Sequence, residues 1–484
     1  MDFFSDYTMT IGGDPVSGET WFSVLNPATA EVLAEAPDGS EIVLEAAIAS
    51  SRAAFPAWSA LPLSERRATL LAFADRIETN AGDLARLLVL EQGKPLAEAL
   101  DEISGAVGYL RAYTTVDLPV ETIDDGSGRV AETHHLPVGV VGAIAPWNFP
   151  VILAMFKLAP GLLAGNAMVL KPSPFTPLTT LKLGELSRGV LPPGVLNIVT
   201  GGDRLGPWMT AHPGFDKISF TGSTATGRKV METVAPTLKR LTLELGGNDA
   251  AIVLPDVDVH EVVPRLFWSA FANNGQICIA TKRVYIHDDV YSQVSDGLVE
   301  FARSVAVGNG LEQGNLIGPI NNRAQYERVT DLIADSLANG HKFLTGGEPV
   351  HSPGYFIPIT LIDNPPEDSR IVREEQFGPV LPLLRFSDLD DVVRRANDSD
   401  YGLGGSVWSA DEQAAIALAR RLATGNVWIN DTQYLSPLAT FGGHKQSGIG
   451  SEGGLAGLLE YTVPQTIIRT KAAITACPGE VVSD

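Results

Sequence analysis

The chain has 484 residues, 45% hydrophobic and 19% charged, the composition of an ordinary well-cored soluble protein, and it exceeds the ~250–300 residues at which single cores stop growing, so two or three domains are expected. Its 57 acidic residues against 35 basic ones give a formal net charge of −22, which argues against nucleic acid, whose phosphates need clustered Lys and Arg. Two cysteines cannot build a disulfide framework, so a reducing compartment is expected.

The first residues, Met1-Asp2-Phe3-Phe4-Ser5-Asp6, carry acids where a signal peptide carries positive charge. Residues 41–102 read as helices, alanine- and leucine-rich with charges three and four apart, punctuated by Pro56, Pro62 and Gly93-Lys94-Pro95. Residues 117–137 are polar and turn-rich, with Asp124-Asp125-Gly126-Ser127-Gly128 at the centre, and suit a protruding hairpin. Short β-rich runs follow at 138–145, Ala167–Lys171, 195–200 and Lys217–Thr221, with helical segments such as 176–189 and 227–235 between them. That alternation predicts parallel βαβ units with helices on both faces.

The longest apolar region, 139–165, is interrupted by Pro146, Asn148, Pro150, Lys157 and Pro160. A membrane span needs ~20 largely uninterrupted apolar residues, so a cytoplasmic, soluble protein is expected. After Cys278 a second alternating series begins: a strand at 281–286, helices near 290–305 and 325–338, a strand near 378–386 and a helix near 412–423. Residues 461–469 read as a terminal strand suited to pair with the hairpin, in a neighbouring subunit of an oligomer.

Several punctuated segments carry residues capable of chemistry. Cys278 follows Asn273-Asn274-Gly275-Gln276-Ile277, a polar stretch that suits a thiol presented at an element end; the other cysteine, Cys477, lies in the small-residue tail. A lone intracellular cysteine is either a nucleophile or a small buried hydrophobe, and both readings stand at this point. Glu244 ends a β-rich run at 241–245 before Gly246-Gly247; amid apolar neighbours its pKa would rise toward that of a general base, whereas a solvent-facing strand end would leave it ordinary. In Pro146-Trp147-Asn148-Phe149-Pro150, two prolines fix the backbone around an amide that either donates to an oxyanion or satisfies a turn.

Lys171-Pro172-Ser173-Pro174 ends a strand where α/β sheets bind ligands, and its lysine suits a phosphate or a ribose hydroxyl, or plain solvent. Phe220-Thr221-Gly222-Ser223-Thr224-Ala225-Thr226-Gly227 passes from strand through a glycine/hydroxyl turn to a helix start, where free N–H groups cradle phosphate. The G-x-G-x-x-G dinucleotide fingerprint is absent from the sequence. Glu374-Glu375-Gln376-Phe377-Gly378-Pro379 and Phe441-Gly442-Gly443-His444-Lys445-Gln446-Ser447-Gly448 are further loops of this kind.

Together, in this order and spacing, these segments resemble the aldehyde dehydrogenase superfamily, from about Asn26-Pro27-Ala28-Thr29 to Glu460-Tyr461-Thr462. The resemblance implies an α/β fold with a Rossmann-like cofactor domain (1–116 and 138–245), an α/β catalytic domain (246–446) and a small β oligomerisation element (117–137, with 447–484). By position it implies Cys278 as nucleophile, Glu244 as general base and Asn148 as oxyanion donor. Cofactor contacts would come from Trp147, Lys171, Ser173, Pro174, Gly222, Ser223, Gly227, Leu245, Glu375 and Phe377, with no metal.

The implied reaction is hydrolytic oxidation of an aldehyde to a carboxylic acid, by a homodimer or homotetramer. Many NAD-preferring relatives carry a ribose-chelating glutamate where Pro174 stands, so NAD is the expected cofactor with NADP the alternative. The implied aldehyde tunnel comprises Phe156, Ile277, Ile279, Gln433, Tyr434 and Leu435, mostly apolar and without arginine. It suits an uncharged aliphatic or aromatic aldehyde over a semialdehyde acid. A coenzyme A-acylating enzyme and a catalytically silent scaffold are the rival readings; the presence of Glu244 and the complete residue set argue against each in turn.

Overall fold

The computed structural model describes residues 2–348 and 352–471; Cys477 and the tail around it lie outside the described residues. The first sheet runs, edge to edge, Asp14–Val16, Met9–Ile11, Leu196–Ile198, Ala167–Lys171, Val140–Ile144, Lys217–Thr221, Arg240–Glu244 and Gly448–Ile449. The five central strands are parallel, and the N-terminal pair and Gly448–Ile449 join antiparallel at the edges. Val140–Ile144, Ala167–Lys171 and Lys217–Thr221 are buried along their whole length. Continuous burial is the mark of parallel strands covered on both faces, and it explains why these stretches read as apolar runs.

From Val140–Ile144 the chain steps outward through Ala167–Lys171 to Leu196–Ile198, then returns to lay Lys217–Thr221 on the other side. That reversal opens a crevice at the carboxyl ends of Val140–Ile144 and Lys217–Thr221, the usual ligand position of doubly wound sheets. Pro146-Trp147-Asn148 and Gly222-Ser223 stand there.

The second sheet orders Lys342–Thr345, Thr360–Asp363, Val380–Phe386, Thr281–His287, Asp249–Val253, Gly405–Trp408 and Trp428–Ile429, all parallel except the first pair. Successive residues of Asp249–Val253 point to opposite faces, as strand geometry requires. Ala251 and Val253 pack with Leu266 and Phe267 of the helix Val259–Phe271, while Ala250 and Ile252 pack with Val329 and Leu332 of the helix Arg323–Ala338.

A third sheet of Thr462–Thr470, Arg129–Pro137 and Glu121–Ile123 is antiparallel throughout. The hairpin and terminal strand therefore do pair, but within one chain rather than between subunits. Two further differences from the sequence reading have local causes. The helix Glu41–Ser59 runs through Pro56 and ends within one turn of it, the proline supplying no N–H to the turn before it. The helix Thr224–Val234 starts earlier than 227, because Ser223 caps it, its hydroxyl accepting from Thr226 N at 3.2 Å. No helix among the described residues is long and apolar enough to cross a membrane.

Candidate active site

The loop before Cys278 holds three successive residues in the left-handed region, Asn273 (φ 47°), Asn274 (φ 59°) and Gly275 (φ 72°). Asn and Gly bear that conformation at least cost, and a side chain at Gly275 would strike the Gly378 carbonyl. The polar stretch is buried rather than exposed and is tied to neighbouring elements, although Asn274 Oδ1 has no hydrogen-bond partner among the described residues. Asn273 accepts from Gln92 Nε2 at 3.1 Å, Asn274 Nδ2 donates to Gly318 O at 2.8 Å, and Gln276 Oε1 accepts from Asn321 N at 2.9 Å. Cys278, half-buried, is thus carried on a rigid turn.

Lys282, one turn on, donates to Ile277 O at 2.9 Å and Cys278 O at 2.7 Å. Burial pushes the Cys278 thiol up to about 12; the Lys282 ammonium works against this, and the carboxylates of Glu375, Asp249 and Glu244 work with it. The resting thiol is therefore neutral.

Asn148 is buried beside this loop, and its Nδ2 donates to Gln276 O at 2.9 Å. Its own carbonyl accepts from Asn273 Nδ2 at 3.0 Å and from Lys94 Nζ at 3.0 Å. Lys94, read in the sequence only as part of a helix break, is fully buried, pairs with Glu102 at 2.6 Å and sits 3.6 Å from the centre of the Phe149 ring. Two neighbouring elements thereby fix the Asn148 backbone.

Three cavities join end to end across the crevice. The far one, about 410 Å³, is lined by Lys171, Ser173, Pro174, Trp147, Gly222 and Ser223. The middle one, about 420 Å³, shares Trp147, Gly222 and Ser223 with it and adds Leu245, Glu375, Phe377, Asn148 and Cys278. The third, about 600 Å³, shares Asn148 and Cys278 and is walled by Phe156, Ile277, Ile279, Gln433 and Leu435, together with Phe149 and Tyr109. Gly227 lies beneath the cleft, where a side chain would collide with Leu245.

Tyr434 is the exception in the predicted tunnel. It is 69% exposed, while Gln433, at φ 60° with its Nε2 donating to Ser269 O at 2.6 Å, and Leu435 line the cavity. Ser223 lines the cleft, but its hydroxyl is engaged with its own helix at Thr226.

Glu244 ends the strand Arg240–Glu244, directly across from Thr221, and is buried with neither carboxylate oxygen hydrogen-bonded. Burial holds its pKa well above the ordinary carboxylate range, and the nearby Glu452 raises it further while Lys157 opposes. Lys157 itself is fully buried, paired with Glu452 at 3.0 Å and donating to Thr221 Oγ1 at 2.7 Å. An unpaired, desolvated carboxyl keeps its proton to higher pH than an exposed one, and the next residue, Leu245, lines the thiol-bearing cleft.

At the nicotinamide-sized end, Glu375 Oε1 accepts from Gly247 N at 3.0 Å. Phe377 adopts φ 50° and meets Trp147 edge-on at 5.3 Å between ring centres. Gln325 Nε2 holds that strained turn by donating to the carbonyls of Gln376 (2.9 Å) and Phe377 (3.0 Å). Gln325, Lys282 and Lys94 were invisible to sequence reading. Each is an isolated polar residue whose role comes from the carbonyls and side chains that the fold brings to it.

An α/β chain whose one described thiol stands where a cleft at the strand ends meets a mostly apolar tunnel has the layout of an oxidoreductase. Residues 14–467 match the family model described as the aldehyde dehydrogenase family. The chain belongs to that family and is an aldehyde dehydrogenase. It is 41% identical over 463 residues to the aldehyde dehydrogenase LUC3 of a Fusarium species, covering 95% of this chain and 98% of that one. It is 39% identical over 480 residues to a phenylacetaldehyde dehydrogenase of Pseudomonas fluorescens, covering 96% and 95%. An NAD+ complex of an aldehyde dehydrogenase from Bacillus cereus superposes with a TM-score of 0.95 at 38% identity, covering 97% of each chain.

Proposed function

We propose that this chain oxidises an uncharged aliphatic or aromatic aldehyde to the carboxylic acid, with NAD as acceptor and a thioester on Cys278 as intermediate. The observation that carries the reading is the shared position of Cys278 and Asn148, which line both the cleft and the tunnel. An aldehyde entering by the tunnel meets the thiol with its oxygen toward the Asn148 side-chain amide.

Cys278 Sγ gives up its proton to water and attacks the aldehyde carbon, the carbonyl π pair passing to oxygen to give a thiohemiacetal oxyanion. Asn148 Nδ2 and the Cys278 backbone N–H donate to its oxyanion, at ~2.7–3.1 Å. A bound nicotinamide supplies the hydride acceptor. The resulting thioester stays on Cys278 until Glu244 takes a proton from water, which attacks the acyl carbon and releases the acid.

The residues present fit a dinucleotide. Gly222 and Gly246 keep the cleft floor free of side chains, and a Cβ at either would fill space held by Phe220 or Glu375. Lys171 and Ser173 stand ready for the adenosine ribose, Trp147 and Ser223 for the middle, and Glu375 and Phe377 for the nicotinamide ribose. The NAD+ bound by the Bacillus cereus relative supports the same choice here; NADP is the second reading, since Pro174 offers no carboxylate.

The tunnel supports an uncharged substrate. Its ionisable lining residues are Glu98, Asp101 and Glu102, which disfavour a second carboxylate and leave a semialdehyde acid without an arginine to grip it. The aromatic substrate in the name of the Pseudomonas relative points the same way. Exposed Ile123, Ile467 and Ile468 on the third sheet suit covering by another copy, in a homodimer or homotetramer, and a free catalytic thiol suits the reducing cytoplasm.

A panel of aldehydes assayed with both cofactors, with the product identified, tests this reading. Carboxylic acid is expected as product even with free coenzyme A present, and Cys278→Ala is expected to be inactive. Full dehydrogenase activity in that variant would remove Cys278 as nucleophile, and succinic semialdehyde as the best substrate would overturn the substrate class.

A further inference from the structure

We infer that Asp203, on a loop remote in sequence from Pro174, supplies the carboxylate that Pro174 lacks, accepting from the adenosine ribose of NAD and excluding the 2′-phosphate of NADP. The inference rests on the proposed placement of the cofactor and deepens it. The far cavity carries three charged side chains, Lys171, Lys229 and Asp203, so Asp203 is the one carboxylate among the described residues that line it. Lys171 comes from the end of the strand Ala167–Lys171, Lys229 from the helix Thr224–Val234, and Asp203 from the turn between Leu196–Ile198 and the helix Leu205–Ala211.

That turn is held in place. Thr200 Oγ1 donates to Pro37 O at 2.7 Å, Gly39 N donates to Thr200 O at 2.8 Å, and Gly202 N donates to Asp38 Oδ1 at 3.0 Å. Asp203 is not consumed locally: the following helix has Arg204 at its cap with no side-chain capping bond, and among the described residues the Asp203 carboxylate has no hydrogen-bond or ion-pair partner. Its field reaches the ribose position. Burial lowers Lys171 to about 8, and the charge that opposes this most strongly is Asp203, ahead of Asp38.

A sugar-borne phosphate monoester carries about −1.5 to −2 charges at neutral pH, so a fixed carboxylate facing it is repulsive, whereas a ribose hydroxyl donates to the same oxygen. With Asp203 neutralised, the charges left on the cavity wall, Lys171 and Lys229, are both cationic and favour the phosphate.

The test is calorimetric titration of NAD and NADP into wild type, Asp203→Asn and Asp203→Glu, alongside kcat/KM for each cofactor. Wild type is expected to prefer NAD. Asp203→Asn should tighten NADP about tenfold, equivalent to about 1.4 kcal/mol, while NAD changes by no more than about threefold. Asp203→Glu should keep the wild-type order, and the NADP gain should shrink at high salt. A wild-type preference for NADP, or an unchanged NADP-to-NAD ratio in Asp203→Asn, overturns the inference while leaving the cofactor cleft intact. Failure of wild type to bind either dinucleotide overturns the cofactor placement itself, and this inference with it.

Discussion

Replacing Gly246 by alanine should weaken the cofactor while barely touching the fold. The backbone at Gly246 lies outside the left-handed region, so alanine meets no conformational penalty. The added Cβ would overlap Glu375 Oε2 and lie 2.9 Å from its Cδ and 3.1 Å from its Oε1. A carboxylate at the end of a flexible side chain yields more readily than packed backbone, so Glu375 moves. It then loses the Gly247 N–H at 3.0 Å and its 3.8 Å approach to Lys282 Nζ.

A hydrogen bond to a charged group contributes about 1.5–3 kcal/mol. Losing one such contact to the nicotinamide ribose predicts NAD binding weaker by roughly 10- to 150-fold. Stability should fall by no more than about 1.5–3 kcal/mol, the hydrogen bond that Gly247 N–H gives up, because the displaced carboxylate swings into the open cleft and no cavity forms. Isothermal titration gives the affinity and thermal unfolding the stability. Wild-type affinity in the variant would refute the reasoning, and so would a large drop in Tm, since that would mean the backbone had moved instead of Glu375.

Glu244→Gln keeps the shape but cannot take a proton, so turnover should fall by about 10²–10⁴ while a burst of reduced cofactor survives; steady turnover at the wild-type rate would remove Glu244 from deacylation. Gly108 lines the tunnel with open space at its missing Cβ. Gly108→Leu should therefore raise KM for a bulky aromatic aldehyde and spare acetaldehyde, and equal losses on both would show that this wall does not select. Burial pushes Asp249 from the ordinary 3.8 up to about 7. The folded state then keeps a proton that the unfolded chain gives up, so this group's contribution is intact near pH 4 and is lost as pH rises to 7, by about 4 kcal/mol. Asp249→Asn should accordingly gain on wild type between pH 4 and pH 8 in denaturant unfolding, and a difference that does not vary with pH contradicts the assignment.

The doubly wound architecture was legible because fully buried parallel strands read as unbroken apolar runs. Ala167–Lys171 and Lys217–Thr221 were found to the residue. The protrusion was legible in Asp124-Asp125-Gly126-Ser127-Gly128, whose glycines at φ 77° and 82° make the turn. Which copy of the chain supplies its partner strand was not legible, since a strand edge offers the same N–H and C=O groups to any copy. The candidate site splits along a similar line. Cys278, Asn148 and Glu244 stand in segments marked by prolines and glycines and could be singled out. Asp203, Lys282 and Gln325 could not, because their meaning lies in which cavity or carbonyl they face. Tyr434 was misplaced for the converse reason: a stretch of sequence names a loop, but its local backbone, here bent at Gln433 with φ 60°, decides which residue of it looks inward.

The pairing of Arg129–Pro137 with Thr462–Thr470 is in register along all nine residues of each strand, and it carries a consequence for synthesis. Closing a loop of that span makes these among the most non-local contacts of the described residues, and such contacts form late. The same C-terminal stretch delivers Glu452 to Lys157 and lays Gly448 opposite Glu244. A ribosome-bound chain that has already folded its first sheet therefore lacks both the edge strand beside Glu244 and the carboxylate that neutralises Lys157 next to it. The surroundings of Glu244 are complete only after residues 448–452 have docked.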